Sequence, residues 1–526
     1  MTTDRRSWGL ALGTSLVLCL SLPLTAAAEA EGEGSVHPQN AISPLTSKPS
    51  DLLGPIAPVL STSTWLLAKG LDPRPAFATG GEGVKDAATT TTGERTQAAG
   101  AGAPVPYREP GPAFSRNILI TRDFSNIPFQ TEPSLKVDPN DPDHLVVGVI
   151  DYAFPANTVY TSFDGGERWD GPFQVPSLVD DLGVGGDPVM AFDSDSNVYM
   201  SYISIGVDDF ALGPLEISTE VSSIAIARSE DDGYTWPTQI SASRSRVDAQ
   251  NLTTDRFGRV QGTVDISFFD KPWLVSGPSP DDPGSDVLYA TYTNFDTSYG
   301  IVYIGDIPNL VPAEMRSTIE LVRSTDGGQT WTEPVAVSPT VRQAYGEQGD
   351  PSGAEGVFGT QRVVQGSQPV VAPDGTVHVA WMDSTDDKSQ EGVAEIQVAT
   401  SSDAGVTFSD PVVASVFNEP GFRPRTSNFR FWASAFPQIA SGPDGEIYIT
   451  YVGRPPDRPN DDGDVFLIRS TDDGEHWTRP RVLNGDDTDH LQFFPSIDVS
   501  PDGVIHVMWG DFRDSPSQSR YYIYYT

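Results

Sequence analysis

An all-β chain, a six-bladed β-propeller of four-stranded antiparallel blades with its ring closed by an N-terminal strand, is what this sequence predicts. Three observations predict it. The pattern Ser-x-Asp-x-Gly-x-x-aromatic occurs five times: at Ser162, Asp164, Gly166 and Trp169; at Ser229, Asp231, Gly233 and Trp236; at Ser324, Asp326, Gly328 and Trp331; at Ser401, Asp403, Gly405 and Phe408; and at Ser470, Asp472, Gly474 and Trp477. In phase with it, a proline opens a short apolar strand, followed by a turn and a second apolar strand, at Pro133, Pro188, Pro272, Pro369, Pro437 and Pro495. Glycine (49) and proline (45) are as abundant as many short strands joined by turns require. Units of this size cannot each bury two faces alone, but arranged radially they bury them against one another.

Residues 1–30 read as a secretory signal, with Arg5 and Arg6 before the apolar run Trp8 to Leu24 and small residues at Ala26, Ala27 and Ala28. The single cysteine, Cys19, lies inside that run, so the chain after it has no disulfide chemistry. Residues 31–112 turn to Ala, Gly, Pro, Ser and Thr, as in Ala87 to Gly93 and Ala98 to Pro104. They read as a largely disordered linker or prosegment, with one stretch, Asp51 to Leu71, carrying apolar residues able to dock. The propeller is expected over 113–526.

Within each unit the Asp turn joins the third strand to the fourth. Its glycine supplies a positive φ, the Ser and Asp side chains bond the turn's own amides, and the aromatic folds beneath it. The sixth unit ends at Tyr521 to Thr526, where the Asp turn would begin. Asn117 to Thr121 is the natural donor of its missing strand, which would cover an open edge.

The formal net charge is −39, from 33 basic and 72 acidic residues, and only six of the basic residues are lysine. That balance argues against a nucleic-acid or anionic-membrane partner, which needs clustered Lys and Arg. No stretch after the leader is long and apolar enough to span a bilayer. The expected setting is secreted, extracellular or periplasmic, with the protein a monomer.

Asp turns on a six-bladed propeller resemble the sialidase (neuraminidase) superfamily and related Asp-box, or BNR-repeat, proteins, over about 114–526. The resemblance implies the propeller fold and an extracellular glycan or glycoprotein as partner. Sialidases use three arginines around the substrate carboxylate, a Tyr–Glu nucleophilic pair and an Asp acid/base. Their first arginine sits in an aromatic-Arg-Ile-Pro motif, whereas here the matching stretch is Gln130-Thr131-Glu132-Pro133, with Thr131 in the arginine's place. Tyr152, Tyr299, Tyr345, Glu347 and Glu355 are placed to serve as the pair without a motif to choose among them.

Successive connections of a meander alternate between the two faces of the disc, so the Asp turns are structural and the site belongs on the opposite face. There the long connections 207–219, 244–269, 296–316, 340–364 and 416–434 gather. Residues opening each first strand should ring the axis on that face: Glu132, Asp187, Asp270 with Lys271, Gln368, Phe436 and Phe494. Of these, Glu132, Asp187 and Asp270 are the candidate catalytic carboxylates, since a glycosidase needs a paired acid and base or nucleophile. Lys271, Arg362, Gln368, Arg430, Arg454, Asp511 and Arg513 are the candidate substrate-binding groups, arginine being suited to grip a sugar carboxylate.

The leading function is thus a secreted, sialidase-like glycoside hydrolase. The alternative is a non-catalytic glycan- or protein-binding propeller, in which the same polar groups cap the mouth of a channel. Five histidines fall in different blades without ligand spacing. No cofactor is expected; calcium is the one metal that the acidic loops Asp457 to Asp464 and Asp486 to Asp489 could take through oxygens.

Overall fold

The computed structural model describes residues 52, 53, 56, 60, 61, 64, 66, 74, 118–121, 129–344, 362–386, 392–420, 435–515, 517, 518 and 520–526. All belong to one compact unit, Pro44–Thr526.

Six antiparallel sheets follow one another along the chain, and within each the main strands pair in sequence order. Blade one is Gln130–Val137, Leu145–Asp151, Asn157–Ser162 and Asp170–Val175. Blade two is Gly183–Phe192, Val198–Leu212, Leu215–Ser229 and Thr238–Arg244. Blade three is built on Thr263–Pro278, Asp286–Ile304, Ile307–Ser324 and Val335–Ala336. Blade four is Val364–Val371, Val377–Asp386, Val393–Ser401 and Val412–Asn418. Blade five is Gln438–Ser441, Ile447–Gly453, Asp464–Ser470 and Arg481–Val482. Blade six has Gln492–Val499, Ile505–Asp511 and Tyr522–Tyr525. The first strands of successive blades lie side by side and form the inner wall. This is the six-bladed propeller that the resemblance implied.

The core is a set of layers, one between each consecutive pair of blades. Val146 and Val159 of blade one meet Met190, Met200 and Tyr202 of blade two. Ile396 and Val398 of blade four meet Ile447, Ile449 and Ile468 of blade five. The Asp turns pin these layers. In the turn of blade three, the Gly328 amide donates to Ser324 Oγ at 2.9 Å, the Thr330 amide to Asp326 Oδ1 at 2.9 Å, and Trp331 Nε1 to the Gly328 carbonyl at 3.1 Å. The other four turns repeat the Ser and Asp bonds. Their aromatic rings insert toward the preceding blade: Trp236 in the layer with blade one, Trp331 with blade two, Phe408 with blade three and Trp477 with blade four.

Two expectations need correction. Residues 118–121 are not paired to blade six. Ile120 packs on blade one beside Val147, Val149, Tyr160 and Trp169, and Thr121 Oγ1 accepts from Tyr160 Oη at 3.1 Å. Among the described residues the sixth sheet has three strands. The connections at 207–219 and 296–316 are also not irregular. The second and third strands of blades two and three continue pairing as far as Leu212 with Leu215 and Ile304 with Ile307. Each is a β-hairpin standing on the face opposite the Asp turns.

The propeller also begins contributing contacts earlier than residue 113. Leu53, Ile56 and Leu60 are buried against Ile203, Ile205, Phe268, Phe295, Met315 and Val363, where their apolar side chains dock.

Candidate functional site

Five of the six first strands carry one shared irregularity. Two residues fall out of the ladder between Thr131 and Ser134, between Gly186 and Val189, between Asp270 and Trp273, between Gln365 and Gln368, and between Phe493 and Ser496. The first skipped residue has a positive φ each time: Glu132 55°, Asp187 55°, Lys271 55°, Gly366 70° and Phe494 47°. In four of the five the next residue is proline, which has no N–H to lose by leaving the ladder. A non-glycine residue held at such a φ costs roughly 1–3 kcal/mol, and bulges that re-aim side chains gather at functional sites.

The bulges bring together side chains from three successive blades. Glu132 and Asp187 share a hydrogen bond. Lys271 Nζ lies 3.7 Å from Asp187 Oδ2. Asp270, one residue before its bulge, is fully buried, and Asp187 is 5% exposed. Gln365 Nε2 donates to Asp270 Oδ2 at 3.3 Å. Three carboxyl groups therefore face one ammonium. Burial, followed by the Asp187 charge, pushes Glu132 well above the usual carboxylate range, with Lys271 pulling the other way. Burial and Asp187 also push Asp270 up to about 7, against Lys271 and the bonds from Ser61. Burial works against the Lys271 charge, but Asp187, Glu132 and Asp270 outweigh it and push its pKa up. Two carboxyl groups in hydrogen contact cannot both ionise cheaply. The cluster can thus hold a proton at neutral pH beside an ion-paired carboxylate, which is what acid–base chemistry needs.

The remaining candidates lie elsewhere. Gln368 stands two residues after its bulge, where its Oε1 accepts from the Ile439 amide at 3.3 Å; Gly366 takes the position expected of it. Phe436 packs on Gly366, where an added Cβ would lie 2.3 Å from the ring. Arg362 grips Asp383 with two bonds, at 3.0 and 2.7 Å. Arg454 Nε donates to the Glu419 carbonyl at 2.7 Å. Arg513 binds Asp511 Oδ2 through Nε at 2.8 Å and Nη2 at 2.6 Å. Arg430, Tyr345, Glu347 and Glu355 lie outside the described residues. Tyr152 and Tyr299 are buried, and Tyr299 Oη donates to the Leu52 carbonyl at 2.5 Å.

A second acidic cluster joins blades five and six. Asp461, Asp464 and Asp511 are buried. Arg458 pairs with Asp461 at 3.0 Å and with Asp464, and Asn484 Nδ2 donates to Asp464 Oδ1 and Asp486 Oδ1, each at 2.7 Å. Arg513 also stands 3.6 Å from Asp486. These acidic loops are thus crosslinked by arginine and amide groups. One exposed group, Asp472, Glu475 and His476, has spacing compatible with a metal ion among the described residues. It lies in the Asp turn of blade five, away from the first strands. The buried His378 shares a hydrogen bond with Thr400 Oγ1 at 3.0 Å, and burial pushes its pKa down to about 4.

Two site features escaped the sequence reading. Gln365 is marked only by the glycine that follows it at the bulge. Ser61 and Thr64 contact Asp270 from more than 200 residues away in sequence: the Ser61 amide donates to Oδ2 at 2.6 Å and Thr64 Oγ1 to Oδ1 at 3.4 Å.

Fold and site together define a six-bladed β-propeller with a carboxylate-rich, single-cation cluster on its inner wall. No protein-family model matches the chain, and no curated protein matches it. Solved structures do. One is the alpha-L-arabinofuranosidase of Fusarium graminearum in complex with an iminosugar inhibitor, at 13% identity over 75% of this chain and 91% of that chain, TM-score 0.40. A polysaccharide lyase, an ulvan lyase bound to its sugar, matches at 10% identity over 77% and 79%, TM-score 0.41. A Hadza microbial sialidase matches at 15% identity over 70% and 62%, TM-score 0.34. What this site does follows from its own side chains.

Proposed function

We propose that this chain is a secreted, glycan-acting enzyme that cleaves a glycosidic bond with the carboxyl groups of Glu132, Asp187 and Asp270. The observation that carries the reading is the meeting, at the bulges of three successive blades, of Glu132, Asp187 and Asp270 with Lys271, whose Nζ lies 3.7 Å from Asp187 Oδ2. Glu132 serves as the proton donor to the leaving oxygen. Asp187, ion-paired to Lys271, holds that proton on Glu132, since a carboxyl in contact with the acid is too close to flank the sugar as the second carboxylate. Gln365 orients Asp270 behind them.

The substrate ring at the reacting position is neutral in this reading. A sialate carboxylate needs a cationic clamp, and Arg362, Arg454 and Arg513 each already hold a local oxygen. Thr131 stands where the resemblance would put the first arginine. Residues 1–30 are the export leader and the enzyme acts as a monomer outside the cytoplasm.

The test is a panel of fluorogenic glycosides, neutral sugars alongside a sialoside. Turnover of a neutral glycoside that drops in Glu132→Gln and Asp187→Asn supports the proposal. Turnover of the sialoside alone would overturn the substrate assignment. Turnover unaffected by either substitution would remove the site.

A further inference from the structure

The mouth of the site holds a segment of the chain itself. Leu53, Ile56 and Leu60 are 1, 3 and 0% exposed. They share one buried cluster with Ile203 and Ile205 of blade two, Phe268, Phe295 and Met315 of blade three, and Val363. Leu66 packs on Ile150 and Tyr152 of blade one. The Arg74 guanidinium lies over the Tyr152 ring at 5.7 Å and donates to the Gly185 carbonyl at 3.1 Å. The segment thus touches the inner ends of blades one to four.

Its contact with the chemistry is direct. Ser61 and Thr64 engage both oxygens of Asp270, and Ser61 Oγ and Thr64 Oγ1 are 3.0 Å apart. A backbone amide at 2.6 Å on a fully buried carboxylate is a charge-assisted bond of the kind that fixes a ligand. Between this segment and the propeller the sequence is low-complexity and rich in Ala, Gly and Thr, a composition that buries little and suits a tether.

We propose that the cleft between the blade-two and blade-three hairpins is a peptide-binding cleft, that Leu53, Ile56, Leu60, Ser61 and Thr64 belong to its built-in ligand, and that this ligand holds the carboxylate site closed to a sugar chain. The partner class is an apolar peptide with leucine or isoleucine side chains and a free backbone amide presented to Asp270. The closure half of the proposal rests on the glycan-acting reading; the peptide-binding half does not. Tethering supplies an effective concentration on the order of millimolar for short flexible connections. Hydrolysis of one peptide bond in the tether by an external endoprotease removes that advantage, and dilution then releases the segment.

The experiment uses the full chain with a site-specific protease sequence inserted between Gly93 and Glu94. After cutting, the fragment is removed by gel filtration and a labelled synthetic peptide of residues 51–74 is added back, read by fluorescence anisotropy. Saturable binding is expected, weakened at least about tenfold when Ile56 and Leu60 are both aspartate in the peptide. Turnover on the neutral glycoside panel is expected to rise at least about tenfold on cutting and removal, and to fall again as peptide is added. In the intact chain, the Ile56→Asp and Leu60→Asp pair should raise turnover without cutting. Peptide binding without turnover in any state would keep the peptide cleft and defeat the glycan-acting reading. Equal turnover before and after removal would overturn the closure. A cut protein that loses its near-ultraviolet circular dichroism with the fragment would show the segment to be core, and would overturn the proposal, as would absence of peptide binding by a protein still folded.

Discussion

The molecule has two buried acidic clusters, and they differ in what balances them. On blades five and six, Asp461, Asp464, Asp486 and Asp511 are met by Arg458, Arg513 and Asn484. On blades one to three, Glu132, Asp187 and Asp270 are met, among the described residues, by the Lys271 charge and by neutral donors to Asp270 from Gln365, Ser61 and Thr64. Both lie at strand ends near the inner wall, and both are made of the same residue types. The first is a crosslink, with nearly every oxygen given a forked or amide partner. The second has more carboxyl groups than cations among the described residues, and burial pushes the pKa of Glu132 and of Asp270 up. The ratio of donors to carboxylates separates an anchor from a reactive group more surely than burial does.

The comparison can be broken most readily at its reactive end. Asp187→Asn should lower turnover by roughly 10²–10⁴-fold, the usual worth of a positioned acid or base, with unchanged melting; equal turnover in the variant would make the two clusters alike. At the anchored end, Asp464→Ala should destabilise by roughly 1–3 kcal/mol, since it takes a buried acceptor from Asn484 and leaves Arg458 with Asp461, while the folded fraction keeps its turnover; denaturant titration beside activity separates the two. Lys271→Met sharpens the contrast. Its charge lowers the pKa of both Glu132 and Asp270, so without it the titration of Asp270, followed by carboxyl carbon NMR, should move above about 7, by roughly one to three pH units.

The same excess of acid sets a pH dependence of stability. Asp270 is raised in the fold from the ordinary 3.8 to about 7. Its contribution is therefore fully present below the unfolded value and lost as pH rises through that window. Asp270→Asn should gain on the wild type in unfolding free energy between those limits, and a difference that stays flat with pH would remove the charge argument. The smallest expected effect lies on the opposite face. Asp326→Ala gives up bonds to the Gln329 and Thr330 amides in an exposed turn and should cost about 1 kcal/mol, with no effect on turnover.

The propeller was legible because its repeats are local. A Ser, an Asp, a glycine and a ring within eight residues close a turn by themselves, and the observed bonds of Ser324, Asp326 and Trp331 are the ones those spacings imply. The meeting of Glu132, Asp187, Asp270 and Lys271 was legible for a related reason, because a proline marks four of the five bulges. Gln368 was misplaced where that mark slips: Pro369 follows the bulge of blade four by three residues instead of one, and Gly366 takes the turn. The local partners of the arginines were not legible, because the sequence does not show which oxygen an arginine meets, as with Arg362 and Asp383. The docking of Ser61 on Asp270 spans 209 residues, and no local pattern reports such a pairing.

The left-handed bulge recurs with unlike occupants: Glu132, Asp187, Lys271, Gly366 and Phe494. Backbone geometry is held constant while the side chain varies, so five of the six blades offer an equivalent socket to a common centre. Three adjacent sockets are filled with charge, while the others hold glycine and phenylalanine. A ring with near-rotational symmetry in its frame is therefore polarised in its contents. A substrate entering along the axis would meet a reactive sector and an inert one, and would be read from one side only. Reprogramming such a molecule is then a matter of exchanging occupants among sockets, with the frame left as it is.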